Sequence, residues 1–250
     1  MLRSPVGSLV VELAATRLAG EPGVGELLVV GPSLGTSVEA LWGECARLLG
    51  DFEVIGWDLP GHGRSRRASE PFTIADLASA VREIPAGRDA WYAGISVGGA
   101  VGLQLALDPG PFGAVAALAT APKIGDAQAW RERAELVRRA GTGVMVSGSA
   151  ERWFAPGFTD RRPEIAGALL TSLLDADPGS YALVCDTLAE FDVRDHDAKV
   201  PVLVAVGEHD SVVSSAGVEL AGCGHLPAAE DPHAVATLLR AFFTTQRGAR

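Results

Sequence analysis

Cysteine is scarce and scattered: Cys45, Cys185 and Cys223 are the only three in 250 residues. So wide a spacing supports neither a disulfide framework nor a CxxC metal site, and it fits a reducing compartment. Lysine is scarcer still, Lys123 and Lys199 being two among 21 basic residues, and the formal net charge is −10. With aromatics at 6% and no basic cluster interleaved with them, a nucleic-acid partner is excluded. Long apolar runs are also missing. Glu12 and Arg17 interrupt the N-terminal stretch, and no segment elsewhere could span a bilayer. Internal repeats, low-complexity tracts and a GxGxxG nucleotide loop are absent. A cytoplasmic protein with no membrane partner is expected.

What remains is rich in core-forming residues. At 48% hydrophobic, the chain can fill one large domain, or a domain with an insertion. Short apolar runs at 25–31, 52–58, 88–93 and 114–120 read as buried strands, and the segments 38–49, 73–84 and 100–107 between them read as helices. Thr73 is placed to cap its helix. Residues 6–20 read as a hairpin. The alternation predicts an α/β fold with a mostly parallel central sheet and helices on both faces. From Lys123 to Asp197 strand signals stop, and helical periodicity appears at 127–140, 162–175 and 180–190. Strand pattern returns at 200–207 and 217–221, and 232–243 closes the chain as an amphipathic helix. The division expected is a core of residues 1–122 and 198–250, with an inserted helical cap at 123–197.

The stretch Gly94-Ile95-Ser96-Val97-Gly98 joins a strand to a helix without a loop, which is the setting a GxSxG nucleophile elbow requires. Ser96 is the candidate nucleophile. The Val97 N–H at the helix start is a candidate oxyanion donor, and the Leu34 N–H, in Ser33-Leu34-Gly35-Thr36 after the 25–31 strand, is the second. An ordinary strand-to-helix loop is the alternative for Leu34. Asp210 and His225 each follow a later strand, and the order Ser96, Asp210, His225 is that of a triad on this architecture. His62, in Pro60-Gly61-His62-Gly63, reads as a turn-fixing residue rather than a base.

These residues resemble the α/β-hydrolase family, and within it the 3-oxoadipate enol-lactonases. The likeness covers essentially the whole chain. Its specific signatures are Lys123-Ile124-Gly125 with Trp130, Glu151-Arg152-Trp153-Phe154, and the run from Tyr181 to Asp195. The resemblance implies a serine hydrolase that opens a small anionic lactone through an acyl-enzyme, with Ser96, Asp210 and His225 as triad. It also implies that Arg152 and Trp153 meet the substrate's carboxylate and ring, and that no metal or organic cofactor is needed. Arg152 paired with Glu151, and Trp153 as plain cap core, are the alternatives. The chain departs from the family between Asp210 and His225, where Ser211–Ala216 is too short for the usual helix and a bare sheet face is expected. Three functions stay open: the enol-lactonase, another hydrolase of this fold (a carboxylesterase or carbon–carbon bond hydrolase), and a low-turnover module that binds small acids.

Overall fold

The computed structural model describes residues 11–214 and 216–247. Its strands are β1 (Ala15–Ala19), β2 (Glu26–Gly31), β3 (Phe52–Trp57), β4 (Ala90–Ile95), β5 (Phe112–Leu118), β6 (Val202–Gly207) and β7 (Val218–Leu220). They form one sheet in the order β1-β3-β2-β4-β5-β6-β7. Only β1 runs antiparallel to its neighbour. The sequence expected a hairpin over 6–20. Residues 6–10 lie outside the described residues, and β1 pairs instead with β3, Ala15 opposite Trp57.

Leu27 to Val30 in β2 and Ala90 to Ala93 in β4 are buried, as central strands covered on both faces require. The covering helices are α1 (Val38–Leu48), α2 (Ile74–Arg82) and α3 (Val97–Leu107), with α10 (Pro232–Gln246) at the end of the chain. α1 packs on α10, and α2 packs on α3. Thr73 does cap α2, in a reciprocal box with Asp76. The strand order turns back between β2 and β4. Chain segments leaving their carboxyl ends diverge there and open a crevice, the usual ligand position in such sheets.

Residues between β5 and β6 fold as helices: α4 (Ala127–Ala140), a 3-10 turn (Thr142–Met145), α5 (Val146–Trp153), α6 (Phe158–Arg161), α7 (Pro163–Asp175) and α8 (Pro178–Glu190). α4 lies along α8. Three of the five α-helices match the expected 127–140, 162–175 and 180–190 segments. α5 and α6 were not read from the sequence.

No helix occurs among the described residues between β6 and β7. The link runs directly from one strand to the next and packs closely, since a Cβ on Gly217 would stand 2.5 Å from the Val204 carbonyl oxygen. The sheet face is less covered here: Val202, Leu203, Val204 and Val206 are only half-buried, and Val218 is exposed.

Candidate active site

β4 runs into α3 through Ser96, whose backbone sits at φ 56° and ψ −114°. A side-chain-bearing residue reaches this region only under strain, so the surrounding packing must hold it there. Two glycines make the turn possible. A Cβ on Gly94 would lie 2.2 Å from the Gly98 carbonyl oxygen, and one on Gly98 would lie 2.5 Å from that of Pro32. Tyr92, buried in β4, donates its hydroxyl proton to the Gly98 carbonyl at 2.8 Å, and Gly98 N–H donates to Pro32 at 2.9 Å. The elbow and the 32–36 loop are thus built against each other. Gly98→Ala is expected to cost about 1–3 kcal/mol of stability by overpacking, despite alanine's helix preference of about 1 kcal/mol. It is also expected to slow turnover by pushing the Leu34 loop away from Ser96. Urea unfolding and a steady-state assay check both.

Leu34 and Val97 are buried, and neither N–H donates to a described acceptor. Val97 opens α3, so its N–H has no partner one turn back. The Leu34 loop is fixed by Thr36, whose hydroxyl accepts from Ser33 N–H and donates to the Ser33 carbonyl.

Asp210 leaves the end of β6, and its side chain is fully buried. Its Oδ2 meets His225 Nδ1 at 2.9 Å, while Oδ1 accepts from the Val212 and Val213 N–H groups at 2.8 and 3.1 Å. Burial alone would raise this carboxyl's pKa, but the His225 contact and the two N–H donors bring it below the ordinary aspartate value. The short link after β6 turns at once so that its own Val212 and Val213 N–H groups face the Asp210 carboxylate, beside the His225 contact.

The loop that bears His225 is anchored by a residue not foreseen from the sequence. Glu230, at the end of α9 (Pro227–Glu230), accepts from Gly224 N–H at 2.9 Å and Leu226 N–H at 3.4 Å through Oε1, and from Ala155 N–H at 2.7 Å through Oε2. His225 N–H donates to the Trp153 carbonyl at 2.9 Å. Burial keeps the Glu230 carboxyl above its usual value, the three N–H donors only partly opposing it. Glu230→Ala strands these donors and is expected to cost roughly 2–4 kcal/mol, measurable by denaturant unfolding.

Ser96 and His225 line one cavity of about 160 Å³, together with Leu34, Trp130, Arg133, Arg152, Trp153 and Tyr181 among others. Arg152 does not pair with Glu151. Neither it nor Arg133 is in an ion pair with any described carboxylate, whereas Lys123 is taken up by Asp192 at 3.3 Å. Arg152's pKa is lowered, first by burial and then by the nearby Arg133 charge. Trp153 is buried edge-on to Phe154 and lines the cavity. Trp130 also lines it, its indole N–H donating to the Ile124 carbonyl. Arg133 was not singled out from the sequence, although its place three residues after Trp130 puts both on one face of α4.

Other candidates are accounted for elsewhere. His62 is buried with Nδ1 2.9 Å from the Pro60 carbonyl, fixing the turn, and burial pushes its pKa down to about 4. Burial pushes the Cys45, Cys185 and Cys223 thiols up to about 12, so none is an activated nucleophile. Among the described residues no group of three or more His, Cys, Asp or Glu could hold a metal ion, and no helix is long and apolar enough to cross a membrane.

A strained serine between a parallel strand and a helix, with an Asp–His pair from later strand ends around the same cavity, marks a particular architecture. A model described as the alpha/beta hydrolase family matches residues 27–238. This chain belongs to the alpha/beta hydrolase family. The hydrolase is 35% identical to 3-oxoadipate enol-lactonase 2 of Acinetobacter baylyi over 240 residues, 86% of this chain and 89% of that one. It superposes on the crystal structure of the enol-lactonase from Burkholderia xenovorans LB400 with a TM-score of 0.87 at 27% identity, covering 94% of this chain and 97% of the other. A thermophilic esterase from Thermogutta terrifontis shares the fold at a TM-score of 0.83 and 21% identity, with 94% of each chain covered.

Proposed function

We propose that this hydrolase opens 3-oxoadipate enol-lactone to 3-oxoadipate by way of an acyl-enzyme on Ser96, in bacterial breakdown of protocatechuate and catechol. The observation that carries the reading is the conjunction, around one small cavity, of Ser96, the Asp210–His225 pair and two arginines without acidic partners. The likeness to the two enol-lactonases supports the choice of substrate.

Asp210 holds His225 by Nδ1, leaving Nε2 as the nitrogen that takes the Ser96 proton. Ser96 Oγ bonds to the lactone carbonyl carbon, and the Leu34 and Val97 N–H groups carry the negative oxygen that develops. The ring C–O bond breaks, and the enol oxygen leaves with the proton held on His225. Tautomerisation of the enol to a ketone removes the nucleophile that could close the ring again. A water, deprotonated by His225, then attacks the acyl carbon, and the proton returns to Ser96 Oγ as the acid is released.

Arg152 is assigned to the substrate carboxylate, since a guanidinium offers that group two parallel hydrogen bonds. Trp153 walls the ring. In this reading residues 123–197 form a cap over a core of residues 1–122 and 198–250 and exclude water from the acyl-enzyme. Loss of the enol-lactone ultraviolet absorbance with purified protein tests the proposal. Rapid loss is expected. A protein that leaves the lactone untouched while hydrolysing neutral esters is instead a carboxylesterase on the same scaffold.

A further inference from the structure

Arg133 has no assigned task, yet it stands in the same cavity as Arg152, and the two reach it from different helices, α4 and α5. Its guanidinium lies over the Trp130 ring, 4.7 Å from the centroid, which fixes its position without neutralising it. No described carboxylate is ion-paired with either arginine, although Asp126 lines the same cavity. Asp126 caps α4, accepting from Gln128 and Ala129 N–H; Glu132 takes the Gln128 side-chain amide; Glu151 is exposed and unpaired with Arg152. Two half-buried cations of like sign facing one small cavity repel each other unless an anion lies between them.

We propose that Arg133 and Arg152 form a two-jawed carboxylate seat, and that with the Leu34 and Val97 N–H groups they make the cavity a receptor for linear dicarboxylates. One carboxylate bridges the two guanidiniums, and the other occupies the place of the oxyanion. The second half of this assignment rests on the reading of Ser96 as the nucleophile. Hydrolysis of a carboxylate-bearing lactone yields such a dicarboxylate, so the product is itself a ligand and holds the site until it leaves. Because the jaws belong to different helices, the bridging anion also draws α4 and α5 together.

The test uses adipate, a saturated six-carbon dicarboxylate, titrated calorimetrically into the Ser96→Ala protein. Adipate is expected to bind, and 1,6-hexanediol, of the same length but uncharged, is not. Placing Arg133→Gln or Arg152→Gln in that background is expected to weaken adipate binding about tenfold or more in each case, the loss of a charged hydrogen-bonding partner. Arg133→Lys, which keeps the charge and loses the fork, should fall between. Adipate bound equally well with and without Arg133→Gln in the Ser96→Ala background overturns the seat. So does failure of adipate to bind the Ser96→Ala protein, a result that needs no arginine variant to fold.

The lactone assay on the otherwise wild-type protein separates the two readings. Turnover with a Michaelis constant unmoved by Arg133→Gln leaves the lactonase standing without the seat. Arg133-dependent adipate binding in a protein that never opens the lactone leaves the seat standing without the lactonase.

Discussion

Ser96→Ala is expected to lower lactone turnover by at least about 10⁴-fold, as loss of a nucleophile in a serine triad does, while leaving the fold intact. The fold should survive because alanine is smaller and the strained backbone is imposed from outside by Gly94, Gly98 and the Tyr92 hydroxyl rather than by the serine side chain. The expected signature is therefore an unchanged unfolding midpoint beside a vanished rate. Both come from one preparation, by circular dichroism and by the ultraviolet assay. Turnover persisting at the wild-type level would remove Ser96 from the chemistry and with it the acyl-enzyme.

The next largest effect is expected from Asp210→Asn, a fall in kcat of roughly 10³–10⁴-fold. An asparagine oxygen can still accept from Val212 and Val213 N–H, so the turn survives. The amide nitrogen then faces His225 Nδ1 and donates to it, which moves the imidazole proton to Nε2, the nitrogen that must accept from Ser96. The same substitution alters acid stability. The Asp210 pKa is lower in the folded chain than in an unfolded one. The pair's stabilisation is therefore complete above the ordinary aspartate value, about 3.9, and is lost as pH falls through the lowered one. Asparagine removes this contribution, so the wild-type and Asp210→Asn proteins should differ most in unfolding free energy near neutral pH and converge in strong acid. A difference that does not shrink on acidification would deny the carboxylate its role in holding the loop.

The fold was legible in the sequence wherever a segment obeyed one period. β4, β5 and β2 beyond Glu26 are unbroken apolar runs, and α4 and α7 carry a repeating apolar stripe. The site was legible where backbone constraints write themselves as glycine. Gly94 and Gly98 around Ser96 can be read because no other residue fits the turn. α5 escaped because Ser147, Gly148 and Ser149 are poor helix formers, while in the fold Val146–Trp153 packs against α7 and the Thr142–Met145 turn. Glu230 and Arg133 escaped for a different reason: an isolated Glu or Arg looks the same in sequence whether it faces water or serves buried backbone and a cavity. The link after β6 was legible as too short, while the means by which it holds Asp210 lay in two backbone N–H groups that no residue type advertises.

The joint between Trp153–Ala155 and the His225 loop ties a wall of the cavity to the Asp210–His225 pair. Trp153 gives its carbonyl to His225 N–H, and Glu230 binds Ala155 and Gly224 with one carboxylate. The end of α5 and the loop that carries the imidazole are therefore tied to each other through backbone groups rather than through side-chain packing alone. One wall of the cavity and the support of its histidine are thus a single piece.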